Sequence, residues 1–148
     1  MSSEVAPATG PLLKLKSAQV RVPVGWKSTG WMLDVQLAAM SPAGETIAVY
    51  ENEHLGSSST TLDDLVAVRR DDYRRDNMKR LPDAELDGQP AFHLAGWTGS
   101  DRDRWREDLG TVRDGWYVVV SFMLDRDDSL KADPDIVQSV LATFEWRE

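Results

Sequence analysis

The sequence predicts an α+β domain whose antiparallel β-sheet is covered, at least locally, on both faces. Three observations predict it. First, Trp116 to Leu124 is a nine-residue run with one polar side chain, Ser121, and it follows an Asp114-Gly115 turn. Its β-branched and aromatic bias makes it a strand, and it is too short for a membrane span, which takes ~20 apolar residues. In a strand, Trp116, Val118, Val120, Phe122 and Leu124 point one way and Tyr117, Val119, Ser121 and Met123 the other, so both faces need cover. Second, alternating segments joined by short turns read as antiparallel hairpins. Third, two stretches with apolar residues three and four apart read as helices.

At 148 residues the chain suits one domain, with residues 1–13 as a flexible tether and 14–148 as the folded unit. The tether reading rests on the Pro, Ala and Ser content of Ser2 to Pro11. Hydrophobic residues are 41% and charged residues 28%, the balance of a globular chain. A net charge of −8 argues against nucleic acid, whose binders neutralise phosphates with Lys and Arg, and against adsorption to anionic lipid. No direct membrane insertion is expected. The absence of cysteine excludes disulfides, thiol catalysis and Cys-type metal centres.

In chain order, Lys14 to Val22 alternates and reads as a strand ended by Pro23. Val22 to Trp26 turns, and Lys27-Ser28-Thr29-Gly30 reads as a loop. Leu33 to Leu37 alternates cleanly and pairs, through the Ser41-Pro42-Ala43-Gly44 turn, with Thr46 to Tyr50. Thr61 with Asp64 fits the N-terminal capping signature of a helix, whose stripe is Leu62, Leu65, Val66, Arg69 and Tyr73. That helix is expected to reach Arg80 and to be closed by Pro82. The whole segment from Leu62 to Arg80 holds six bases, Arg69 included, and five acids. It reads as a solvated face with pairs such as Asp71–Arg75 and Asp76–Arg80, each worth ~0.3–0.5 kcal/mol, rather than as a dock for an acidic partner.

Asp87-Gly88 turns into a strand from Pro90 to Thr98. A second strand over Arg102 to Val112 places Trp105 and Leu109 inward and Arg104, Arg106 and Asp108 on the opposite, polar side. This strand forms a hairpin with the Trp116–Leu124 run. Asp133-Pro134-Asp135 reads as an N-cap, a first-turn proline and a dipole-favoured acid. The helix behind them has the apolar face Ile136, Val137, Val140 and Leu141. Phe144-Glu145-Trp146 is an extended tail or a last helical turn.

No residue pattern names a reaction, so the expected catalytic, cofactor-binding and metal residues are none. His54 and His93 lie in no metal-ligand spacing, and His93 reads as a hydrogen-bonded strand histidine. No nucleophile elbow, phosphate loop or dinucleotide fingerprint is present. Aligning Asp125 with the start of an EF-hand loop puts Leu130 at the turn glycine and Ile136 at the bidentate acid, so calcium is not expected there. Of six tryptophans most are expected to fill the core. Trp31 with Met32 is the candidate interaction surface, because both present adaptable apolar area beside Gly30 in an expected loop.

Three short signatures carry a family resemblance. They are Val22-Pro23-Val24-Gly25-Trp26 after the first strand, Asp87-Gly88-Gln89-Pro90-Ala91 opening a middle strand, and a closing helix leading to Phe144-Glu145-Trp146. With the order of elements, and over nearly the whole chain from about Lys14, they resemble the PsbP/Mog-like superfamily, nearest its LpqN and DcrB-type bacterial lipoproteins. The resemblance implies an α/β/α sandwich, an antiparallel sheet flanked by helices. It also implies a non-enzymatic binding or assembly module, adaptor-like, that engages a protein partner. The alternative is a small-molecule or lipid carrier with a pocket between sheet and helix, working as an envelope lipoprotein. The signatures transfer no catalytic residue. As written, without a signal segment or lipobox cysteine, the chain is expected in the cytoplasm; an extracytoplasmic lipoprotein is the alternative.

Overall fold

The computed structural model describes residues 6–32, 36–53, 60–72, 78–98, 104–125 and 134–147. Along them run β1 (Leu12–Lys14), β2 (Ala18–Arg21), β3 (Lys27–Met32), β4 (Gln36–Met40), β5 (Thr46–Glu53) and α1 (Leu62–Asp72). There follow β6 (Lys79–Leu86), β7 (Gln89–Thr98), β8 (Arg104–Arg113), β9 (Trp116–Asp125), α2 (Pro134–Leu141) and β10 (Glu145–Trp146). Seven strands form one antiparallel sheet in the order β3-β4-β5-β9-β8-β7-β6, and three form a small sheet in the order β1-β2-β10.

The apolar run therefore occupies the middle of the large sheet. Val118, Val119, Val120 and Phe122 are fully buried although they alternate between faces. Val118, Val120, Phe122 and Leu124 join Leu37, Ile47, Val49 and Leu109 in a core shared with the small sheet and α2. Val119, Phe92 and Leu94 meet Leu65 and Val66 of α1 on the other face. One helix covers each side, so the α/β/α order expected from the resemblance is the architecture observed. The capping signature also forms: Thr61 N–H donates to Asp64 Oδ2 at 3.0 Å and Asp64 N–H to Thr61 Oγ1 at 3.2 Å.

Two hairpin turns follow from Asp-Gly pairs in the left-handed region. Asp87 (φ 47°) and Gly88 (φ 84°) join β6 to β7, and Asp114 (φ 50°) and Gly115 (φ 82°) join β8 to β9. Such pairs suit two-residue loops, whose twist matches that of the strands.

Several expected boundaries are corrected. The strand read over Lys14 to Val22 is two strands, because the chain reverses between Lys14 and Ala18 and closes with Leu15 N–H on Ala18 O. The Glu51 carboxylate holds that reversal, accepting from Lys16 N–H (3.1 Å), Ser17 N–H (2.7 Å) and Ser17 Oγ–H (2.6 Å). Lys27 to Gly30, read as a loop, belongs to the edge strand β3, whose register shifts between Ser28 and Gly30. Of the strand read over Leu33 to Leu37, the described part is β4, which continues to Met40, and residues 33–35 lie outside the described residues.

The first helix does not reach Arg80, and Pro82 does not close it. Residues 79–86 form edge strand β6, with Pro82 inside the register shift between Leu81 and Ala84, the place an edge strand tolerates a residue without an N–H. Arg80 pairs with Asp63 and Asp83, and those two hydrogen bonds, Asp63 first, hold its guanidinium above its usual pKa; Asp76, its expected partner, lies outside the described residues. The closing Glu145-Trp146 is a strand, paired antiparallel with β2.

Candidate functional site

The small sheet turns one face to the core and the other to solvent. Alternation decides which: Leu13, Ala18 and Val20 are fully buried, so Leu12, Gln19 and Arg21 face outward, as does Glu145 opposite Gln19. These four make the floor of an open groove of about 580 Å³. Pro7, Ala8 and Thr9 form one wall; Ala142 and Thr143, where α2 ends, form the other.

Both walls are pinned by hydrogen bonds. Ala8 N–H donates to Ser139 O and Gly10 N–H to Val22 O, each at 2.9 Å, while Val22 N–H donates to Pro11 O at 3.0 Å. The residues expected to be a free tether are thus attached to the domain from Ala8 onward, and Ala8 and Leu13 are buried. Gly10 is required by close approach, since a Cβ there would stand 2.3 Å from Pro23 O. On the other wall Thr143 Oγ accepts from Arg21 N–H at 2.8 Å and donates to Val140 O at 2.7 Å. Within the floor, Gln19 Nε2 donates to Glu145 Oε2 at 3.1 Å. Arg21 Nη1 donates to Gly10 O at 3.1 Å, which fixes the guanidinium without neutralising it.

Trp31 and Met32, the candidate interaction surface, fall on edge strand β3 opposite Leu37 and Gln36, not in a loop. They are not brought to the groove's residues. His93, on β7, has its Nε2 2.8 Å from Glu107 Oε2, and Glu107 Oε1 accepts from Trp105 Nε1 at 2.6 Å. Trp97 packs edge-on against Trp105, with ring centroids 4.9 Å apart. His93 is therefore the hydrogen-bonded strand histidine expected from its surroundings. His54, Asp133 and residues 126–128 of the acidic run lie outside the described residues.

The polar side expected for β8 is not in water. Arg106 and Asp108 are buried beneath α1, where Asp108 Oδ2 accepts from Arg69 Nε at 2.9 Å and Oδ1 from Ser121 Oγ at 2.6 Å and Arg106 Nε at 3.4 Å. Arg69 also lies over the Tyr50 ring, 5.4 Å from its centroid. Among the described residues no three His, Cys, Asp or Glu side chains converge as a metal site. No helix among them is long and apolar enough to cross a membrane.

The large sheet, its two covering layers and the small sheet can be compared with known structures. A crystal structure of a Bacteroides thetaiotaomicron protein matches with a TM-score of 0.59 and 13% identity over 88% of this chain. The solution structure of cyanobacterial PsbP from Synechocystis matches with a TM-score of 0.60 and 19% identity, over 88% of this chain and 86% of that one. The fold is PsbP/Mog-like. The chain spans 45% of the length of the Bacteroides protein. No protein-family model matches the chain, and neither does any curated protein. The likeness to cyanobacterial PsbP stands against the cytoplasmic location expected from the sequence, and that expectation is withdrawn. It rested on the first residues alone, and the point at which a sequence begins carries no address.

The groove residues were not singled out from the sequence. Outward alternation of Gln19 and Arg21 is legible in β2, but the walls come from residues 7–9 and 142–143, more than 130 positions apart. Only the tertiary fold brings them together.

Proposed function

We propose that the chain is a non-catalytic binding module working outside the cytoplasm, and that it holds a small ligand in the groove over the β1-β2-β10 sheet. The observation that carries this reading is the groove itself. Its volume, about 580 Å³, lies within the ~300–1,000 Å³ of ligand sites. Its walls are fixed by backbone hydrogen bonds, so little ordering is needed when a ligand arrives. The apolar surfaces of Pro7, Ala8, Leu12 and Ala142 stand beside the polar ends of Arg21, Gln19 and Glu145, a mixture that gives both contact area and orientation. The groove lies between a sheet and the end of a helix. The chain's short signatures resemble those of LpqN and DcrB-type lipoproteins, which supports an envelope setting.

A melting-temperature screen of small amphiphilic metabolites tests this. A ligand that binds only the folded state stabilises it by RT ln(1 + [L]/Kd), ~2.7 kcal/mol at a hundredfold excess over Kd. Ala142→Trp, at an exposed position on the groove wall, is the control that fills the site. We expect compounds that raise the melting temperature of the wild type and not of Ala142→Trp. Equal shifts in both proteins, or none in the wild type, would refute the groove as the site.

A second reading keeps the protein partner and rests on the two edges of the large sheet. Both edges carry a register shift, but β6 adds Lys79, Arg80, Asp83, Glu85 and Pro82, charges and a proline that block strand addition. β3 carries one charge, Lys27, and contains Trp31 and Met32. An extended segment of a partner would add to β3 by main-chain pairing.

A further inference from the structure

We propose that the groove is built for a short zwitterionic peptide, its carboxylate on Arg21 and its ammonium on Glu145; this rests on the groove being a ligand site. Three features select that class. The first is the charge layout of the floor. Arg21 is exposed, is anchored through Nη1 to the Gly10 carbonyl, and has no carboxylate within ion-pair distance among the described residues. It therefore offers a fixed cation in a chain of net charge −8. A planar guanidinium held in place suits a carboxylate, which it can meet with two parallel N–H donors.

Glu145 is the second pole. It faces the same side of the sheet, and one of its oxygens accepts from Gln19 Nε2, which orients the carboxylate and leaves its charge available. A dianion would be drawn to Arg21 and repelled at Glu145, and a dication the reverse. A ligand with one charge of each sign satisfies both.

The third feature is distance. Glu145 is the cross-strand partner of Gln19, two residues along β2 from Arg21. At ~3.4 Å per residue along a strand and ~4.8 Å between strands, the two backbone positions stand ~8 Å apart. Two or three extended residues, at ~3.3–3.6 Å each, span roughly 7–11 Å. Leu12, which pairs with Arg21 from the β1 side, and Ala142 offer apolar contact to small side chains along the groove, and the Gln19 amide oxygen remains as an acceptor for a peptide N–H.

Isothermal titration with L-alanyl-L-alanine, its N-acetyl form and its C-terminal amide tests the assignment on the full chain, alongside Arg21→Gln and Glu145→Gln. Both residues are exposed, and an unchanged melting temperature for each variant verifies the fold. We expect the free dipeptide to bind wild type at least tenfold more tightly than either blocked form. Arg21→Gln should erase the advantage over the amide and leave that over the N-acetyl form. Glu145→Gln should do the converse. Blocked peptides that bind as well as the free one, or variants that keep both preferences, would overturn the proposal. If the dipeptide fails to bind while other compounds still stabilise wild type and not Ala142→Trp, the peptide class falls and the groove stands. If neither binds, both fall.

Discussion

Asp108 is a buried carboxylate held by charged partners, taking Arg69, Arg106 and Ser121 with 1% of its surface exposed. Burial of this kind is sustained only while the opposite charges are present, because a guanidinium left alone in the interior has neither water nor a partner. Asp108→Asn removes the charge and keeps the shape. It should cost ~3–5 kcal/mol, whereas Ser121→Ala, losing one neutral donor, should cost about 1 kcal/mol. Urea denaturation of the two variants measures both; equal midpoints would show that the carboxylate charge does not matter. At this scale the sequence is hard to read. Alternating Arg104, Arg106 and Asp108 looks the same whether water or a buried partner lies above them, and the partner, Arg69, is 39 residues away. Gly110 is similar: a Cβ there would meet the Phe92 ring at 2.6 Å and Val119 at 2.9 Å, a packing requirement with no local signature.

At the scale of elements, β9 carries the layer order. Val118 and Val119 point to opposite faces and both are fully buried. Val118→Asp and Val119→Asp should each cost several kcal/mol, large against a total stability of ~5–15 kcal/mol. Thermal melts decide it, and a Val119→Asp protein melting near wild type would mean that α1 does not seal its face. The two-sided apolar run, both Asp-Gly turns, the β4–β5 hairpin and the Thr61–Asp64 cap are all legible in the sequence, because each is a local pattern with one physical solution. The two edge strands are not. Lys79 to Leu86 has five exposed residues before its first partly buried one, so it shows no apolar alternation, and its proline mimics a helix stop. Lys27 to Met32 contains Gly30 and a register shift, which read locally as a loop. Edge strands are stabilised by one neighbour and by the sheet behind it, and neither is visible in the segment itself.

For the whole molecule, the layers explain why the groove lies where it does. The large sheet spends both faces on the core and on α1, and the small sheet spends only its inner face. Its outer face is left to solvent between two walls that the fold fixes independently, one by Ala8 and Gly10 and one by the end of α2. The PsbP/Mog-like architecture was legible from element order and three signatures. The groove was not, because residues 7–9 carry a composition that reads as a tether until Ser139 and Val22 hold them. The most direct test of the groove as the binding site is amide chemical-shift mapping of the labelled chain with the strongest stabiliser from the melting screen. Shifts should concentrate on residues 8–10, 12, 19–21 and 142–145, with those of β3 unmoved. Shifts confined to β3, or spread over the sheet with the groove silent, would contradict that assignment.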